Sequence, residues 1–243
     1  MSIYEYLKQA IAEERPVSLA VVVAGQHIGA RLLIDPRGER LGSLGDPALD
    51  ELVAADAAAL IEEERSETRT YIAGGEELQV FIESYTPPPH LIIVGAVHTA
   101  MILCTCAREL GFTVTVVDPR GLFATRERFP NANALIVAWP DEAFPQLRMD
   151  RSTYVAVLTH DPKLDDPAVR LALQKPVRYV GAIGSPATQE QRRNRLREEG
   201  VPEEDLARIH GPVGLDLGGR TPGEIAISIL AEMIAVRHGR RLS

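Results

Sequence analysis

The sequence predicts an α/β protein in which a smaller α+β domain, residues 1–86, precedes a parallel-sheet domain, residues 87–243. Two observations carry that reading. Past residue 90, five apolar runs of strand length, at 91–94, 113–117, 134–138, 154–158 and 178–183, are separated by segments of helical length. Strands apolar on both faces that alternate with helices form a parallel sheet covered on both sides. Ahead of them stand Pro87, Pro88 and Pro89, which favour stiff polyproline II and cannot donate to a sheet ladder, so the boundary falls there.

The elements of the front domain follow in order. Residues 3–14 read as a helix, and 17–24 and 30–34 as strands joined near Gly25 and Gly29. Asp35-Pro36-Arg37-Gly38 is a turn sequence, with a short strand after it to Leu44. Asp46 and Pro47 are the cap and first residue of a helix running to about residue 64. Strands at 68–72 and 78–83 flank Gly74-Gly75 as a hairpin. At the far end of the chain, Thr221-Pro222-Gly223-Glu224 supplies an N-cap, a first-turn proline and a capping-box carboxylate. The helix that follows is apolar nearly all round over 225–236, which predicts burial against the sheet or against a second subunit; a homodimer is the expected assembly.

A formal charge of −8 argues against a nucleic-acid surface, because phosphate binding draws on clustered Lys and Arg. Residues 1–16 mix charged with apolar groups and lack the apolar stretch of a secretory signal. The weakly polar run at 91–107 falls short of the ~20 residues of a membrane span. A cytoplasmic protein with no membrane span is the expectation. Cys104 and Cys106 lie two apart on a predicted helix, roughly 200° around its axis, so they cannot jointly chelate or bridge and read as packing residues.

Gly95-Ala96-Val97-His98-Thr99-Ala100 ends the first strand of the second domain and opens a helix, and Asp118 ends the next strand. This is the outline of a Gly-x-Gly-x-x-Gly dinucleotide fingerprint, and it makes the domain Rossmann-like. Only the first glycine is present. Val97 puts a branched side chain where a pyrophosphate lies closest to the backbone, so the turn also reads as packing without an ordinary NAD site. Thr159, His160 and Asp161 emerge together at the C-terminal end of the fourth strand, the edge at which open α/β sheets bind ligands. His160 can donate to a phosphate or exchange a proton near neutrality with Asp161 orienting it; the alternative is a helix-capping loop, since Asp161-Pro162 is a capping pair.

After the fifth strand, Gly184 and Ser185 precede Pro186 and a helix whose free N–H groups suit an anion. Its arginines, Arg192, Arg193, Arg195 and Arg197, read mainly as a solvated face, with Arg192 the one nearest a ligand. A glycine-rich loop at 210–219 carries Asp216 as a ligand acceptor or a turn former.

Thr159-His-Asp161, Tyr179-Val-Gly-Ala-Ile-Gly-Ser185, Pro212-Val-Gly-Leu-Asp216 and the stretch from Thr221 through the last helix resemble the xanthine dehydrogenase accessory protein family (XdhC/CoxI). Val-Val-Asp-Pro-Arg120 and Phe123-Ala-Thr-Arg-Glu-Arg-Phe-Pro130 extend the resemblance over nearly all of the second domain. It implies an accessory protein of molybdenum hydroxylases, which binds molybdenum cofactor, supports its sulfuration by a cysteine desulfurase and passes it to the apoenzyme without acting as a conventional oxidoreductase.

The chain departs from the family pattern twice. Ser43-Leu-Gly-Asp46 stands for Ser-Gly-Gly-Cys, and Gly95-Ala-Val-His-Thr-Ala100 stands for Gly-Ala-Gly-His-Val-Gly. The residues expected at the cofactor are Gly95, Ala96, His98, Asp118, Thr159, His160, Asp161, Gly184, Ser185 and Asp216. The cofactor is molybdopterin or its cytosine dinucleotide form, with NAD or FAD ranked behind it. Two other readings stay open: a protein-binding scaffold without ligand, and a nucleotide-dependent oxidoreductase with Asp118 on the adenine ribose.

Overall fold

Ser2 and Glu5 cap one another to start α1 (Ile3–Ala12), which stops where Glu13 leaves the helical region and Glu14 turns left-handed at φ 51°. In the computed structural model, which describes residues 1–240, five strands follow around a second helix. They are β1 (Val17–Ala24), β2 (Arg31–Ile34), β3 (Arg40–Ser43), then α2 (Pro47–Glu62), β4 (Glu67–Ala73) and β5 (Glu76–Tyr85). The sheet is antiparallel in the order β3-β2-β1-β5-β4.

Alternate strand residues serve its two faces. Ala20, Val22, Val80 and Ile82 meet Leu49, Val53, Ala57 and Leu60, the apolar stripe of α2. Val17, Leu19 and Leu33 meet Ile3, Leu7 and Ala10 of α1. These elements make up the compact unit Met1–Pro87; a second unit comprises Pro88–Ser243.

The second unit alternates strand and helix: β6 (His90–Val94), α3 (His98–Glu109), β7 (Thr113–Val117), β8 (Ala134–Ile136), α4 (Pro140–Ala143), β9 (Thr153–Val157), α5 (Pro162–Leu173), β10 (Tyr179–Ala182), α6 (Pro186–Glu198), α7 (Glu203–Leu206), β11 (Ile209–His210) and α8 (Pro222–Arg237). All its strand pairs are parallel, in the order β11-β10-β9-β6-β7-β8. That is the doubly wound Rossmann order, with the chain reversing direction across the sheet between β6 and β9.

Both faces are buried, as the apolar runs predict. Leu91, Ile93, Val114, Val116 and Ala156 pack beneath α3 and α8, whereas Ile92, Val94, Val155, Val157 and Val180 pack beneath α5 and α6. Cys104 is fully buried in the first of these cores, and burial pushes its thiol up to about 11 against the pull of Arg108 and Arg126.

Two details differ from the sequence reading. His210 belongs to β11 and not to a loop; two residues are too few to display a period. The largely apolar α8 buries Ala226, Ile229, Leu230 and Met233 against α3 and the sheet of its own unit, which explains much of its composition without a second subunit, whereas Ile227 and Ile234 are exposed.

Candidate functional site

The switch between β6 and β9 sets two loops side by side at the C-terminal edge, because Val94 pairs in register with Val157. Their approach is close. Gly95 has φ 105°, and a Cβ there would collide with Cγ2 of Thr159, so only glycine lets the first turn pass beneath the fourth-strand loop. Val97 caps α3 without a side-chain hydrogen bond, which leaves the positive end of this twelve-residue helix open beside exposed His98.

Asp118 is placed otherwise than a ribose ligand would be. Its carboxylate is fully buried and accepts four hydrogen bonds: from the Ala96 N–H at 2.7 Å and from the Arg120 backbone N–H, Nε and Nη2 at 2.9, 2.9 and 2.7 Å. Burial pushes this carboxyl up, but Arg120 and the two backbone donors outweigh it and hold it below its ordinary range. Asp118 therefore braces the turn and carries Arg120. Half exposed, that guanidinium lies within electrostatic reach of Asp161 and Asp165.

On the neighbouring loop, His160 is exposed and held at φ 69°, a left-handed conformation that costs a non-glycine residue roughly 1–3 kcal/mol and clusters at functional loops. Asp161 caps α5 by accepting from the Lys163 N–H at 3.0 Å, so it serves the capping role and does not orient His160. The Thr159 hydroxyl donates to Oδ1 of Asp165 at 2.5 Å.

Asp165 leads into a buried polar network that the arginine-rich reading of α6 missed. Arg192, only 2% exposed, donates to Oδ2 of Asp165 at 3.1 Å, to Oε1 of Gln189 at 2.6 Å and to the Ile183 carbonyl at 3.3 Å. Gln189 in turn donates to the carbonyls of Ala182 and Gly184 at 2.8 and 3.3 Å. Arg192 is thus a strut beneath the loops after β9 and β10, and neither a solvated side chain nor a ligand contact. Arg195 likewise pairs with Asp166, and Arg193 donates to the Ile209 carbonyl. The signal was present as spacing: Gln189, Arg192 and Leu196 fall at i, i+3 and i+7, the period of a buried helix face.

Ser185 caps α6, accepting from the Thr188 N–H at 3.2 Å, with Gly184 beside it at φ 134°. Asp216 stands apart: it accepts from Gly218 in its own turn at 3.3 Å, next to a groove of about 540 Å³ formed by Leu217, Ile102 and Ile227. That loop is held from behind by Glu232, which accepts from Tyr179 at 2.5 Å and the Gly214 N–H at 2.8 Å and meets Nδ1 of His210 at 3.0 Å. In the first unit, Asp46, at the family's cysteine position, caps α2 through the Ala48 N–H at 2.8 Å and lines a cavity of about 270 Å³ with His27.

The edge therefore gathers Gly95, Ala96, His98, Thr159 and His160, adds Arg120 to them, and ties Gly184 and Ser185 in through Arg192. With free helix-end N–H groups, a guanidinium and two imidazoles facing outward, it can hold an anion.

Comparison with known proteins agrees with this architecture. Over 98% of its length the chain is 26% identical to the uncharacterized Escherichia coli K12 protein YqeB, of which it covers 47%. It is 32% identical, over 65% of its length, to 46% of a Bacillus subtilis 168 protein described as a probable xanthine dehydrogenase subunit. It is 28% identical, over 71% of its length, to 46% of the E. coli K12 molybdenum cofactor insertion chaperone PaoD. The chain spans about half the length of each of these curated relatives. A crystal structure of a Bacillus halodurans protein described as a xanthine dehydrogenase shares the fold at a TM-score of 0.57 and 21% identity, covering 99% of this chain and 97% of that one. The XdhC Rossmann domain matches residues 91–233, more than half of the chain, and the XdhC and CoxI family matches residues 10–72, so this protein belongs to the XdhC and CoxI family.

Proposed function

We propose that this chain binds molybdenum cofactor at the switch-point edge and delivers it to the apoprotein of a molybdenum hydroxylase. The observation that carries this reading is the inward turn of Asp118, which takes its carboxylate off the edge, where Arg120, His98 and His160 are exposed on the loops at the C-terminal ends of β6, β7 and β9. Such an edge suits the phosphate of a pterin cargo. Val97 and the buried Asp118 count against a nicotinamide or flavin dinucleotide held in the ordinary way. Membership of the family supports the reading, as do a relative named a molybdenum cofactor insertion chaperone and another named as part of a probable xanthine dehydrogenase. The cargo is molybdopterin or its cytosine dinucleotide form, and a cysteine desulfurase is the partner that would supply sulfur to it.

Anaerobic equilibrium binding tests this. Purified molybdenum cofactor, with and without its cytosine nucleotide, is titrated against the protein and its His160→Ala variant, with NAD and FAD as controls. The expected result is cofactor binding that weakens by about tenfold in the variant, the size of one charge-assisted hydrogen bond, and no binding of NAD or FAD. Absence of cofactor binding, or tight binding of either dinucleotide control, overturns the proposal.

A further inference from the structure

Past Arg120, the loops that leave β7 and β8 carry an uncharged part of the same edge. They run side by side: the Asp118 N–H donates to the Ile136 carbonyl at 3.2 Å, and a Cβ on Gly121 would be 3.5 Å from Cγ1 of Val137. Trp139, the one tryptophan of the chain, stands at the end of the β8 loop and is 44% exposed. Its backbone is fixed, because its carbonyl accepts from the Glu142 and Ala143 N–H groups at 3.1 and 2.9 Å where α4 begins. Its indole is not engaged: among the described residues no ring or guanidinium lies against it and its N–H meets no acceptor. Leu122 and Val137, both exposed, lie on the same two loops.

Phe123 differs from Trp139 in having partners. The guanidinium carbons of Arg120 and Arg128 lie 4.7 and 5.5 Å from its ring centre. Arg120 is thus held twice, by this ring and by the Asp118 carboxylate on Nε and Nη2, which leaves Nη1 without a partner among the described residues. A fixed guanidinium and an unengaged indole on adjoining loops supply the two contacts that a phosphorylated planar ring requires, a charge-assisted hydrogen bond and a stacking face.

Their order along the edge is that of the fold. In a doubly wound sheet the phosphates of a nucleotide-type ligand lie at the first helix and its sugar at the end of the second strand, so the ring beyond them reaches the loops after the second and third strands. Those strands are β7 and β8 here. Val97 obstructs the closest approach of a phosphate to the first turn and Asp118 is turned inward, which leaves Arg120, one strand nearer to Trp139, as the cation for it. The acids of these loops, Glu127, Asp141 and Glu142, are exposed and disfavour a phosphate farther out.

We propose that Trp139 is the surface on which the planar ring of the cargo stacks, flanked by Leu122 and Val137, with the phosphate of the same molecule on Arg120. This rests on the reading of the edge as a cofactor site and adds which residues hold the ring. The pterin and the cytosine of the dinucleotide form both supply such a ring, and the test separates them.

Anaerobic binding of molybdenum cofactor, with and without its cytosine nucleotide, is measured on the full chain and on its Trp139→Leu and Trp139→Phe variants, with circular dichroism as the check on folding. Leucine keeps apolar area but has no π face, whereas phenylalanine keeps a smaller one. Trp139→Leu is expected to raise Kd about tenfold, the size of one ring stack, and Trp139→Phe to stay within about threefold of wild type. A loss with both forms assigns the ring to the pterin, and a loss confined to the nucleotide form assigns it to the cytosine. On the unaltered protein, acrylamide quenching of the single tryptophan should fall severalfold when cofactor is bound; this arm decides alone if the leucine variant fails to fold. Equal affinity of wild type and Trp139→Leu, or an indole as open to acrylamide with cofactor as without it, overturns the inference and leaves the proposed function standing. An indole already shielded in the unliganded protein also overturns it, because protein then covers the ring. Failure of wild type to bind cofactor at all overturns the proposed function, and this inference with it.

Discussion

Replacing Arg192 with methionine keeps an unbranched stem in the core and deletes the guanidinium that joins Asp165, Gln189 and Ile183. The Arg192 side chain is 2% exposed and that of Asp165 1%, so no water replaces the lost partner. Removing one member of a buried ion pair costs about 3–5 kcal/mol, because the other charge is left uncompensated. At roughly 2–4 °C per kcal/mol for a chain of this size, the melting midpoint should fall by on the order of 10 °C.

The loss also has a sign in pH. Burial already holds the Asp165 carboxyl above its ordinary range, against the pull of Thr159 and Arg192, and without Arg192 it should rise further. A carboxyl whose folded pKa exceeds its unfolded one stabilises fully below the unfolded value, and that contribution is lost as pH rises through the folded value. Urea unfolding should therefore show the smallest deficit near about pH 4 and the largest above neutrality. Adding Asp165→Asn removes the stranded charge and should return most of the stability, since Asp166 keeps Arg195. A deficit below about 1 kcal/mol, or one that does not vary with pH, would refute the reasoning.

Gly95→Ala should lower the thermal midpoint by the equivalent of more than about 2 kcal/mol, and Thr159→Ser, which removes the methyl that the new Cβ would strike, should restore part of it; no restoration would mean that φ strain and not the clash dominates. His160→Gly relieves a left-handed residue, so chemical denaturation should show a gain of about 1 kcal/mol while cofactor affinity falls; a drop in both would mark His160 as structural. Burial pushes the Glu232 carboxyl up, but His210, Tyr179 and Gly214 outweigh it and hold the group below its ordinary range. Its stabilisation is present above the unfolded pKa and lost as pH falls through the folded value, so the deficit of Glu232→Gln should shrink on acidification to about pH 3; a constant deficit in urea midpoints would contradict this.

Much of the architecture is legible in the residue order, because it rests on local physics. Strand and helix periods, the caps at Asp46, Asp161, Ser185 and Thr221, and the parallel sheet buried on both faces all follow from residues a few positions apart. The Gly95 turn and the Thr159–Asp161 loop were legible as an edge for the same reason. What the residue order leaves open is which polar groups meet. Asp118 reads as a ligand contact until folding brings the Ala96 N–H onto its carboxylate from 22 residues away. Arg192 reads as a solvated or ligand-facing charge until Asp165, 27 residues distant, supplies its counter-ion in the core.

The short strand β11 is likewise a product of packing order. By itself the sequence determined element type, the apolar faces and the edge at which a ligand is expected. Only the tertiary structure decided which charges are buried, which brace loops and which remain free to bind, because the cost of burying a charge depends on partners that the chain delivers from elsewhere.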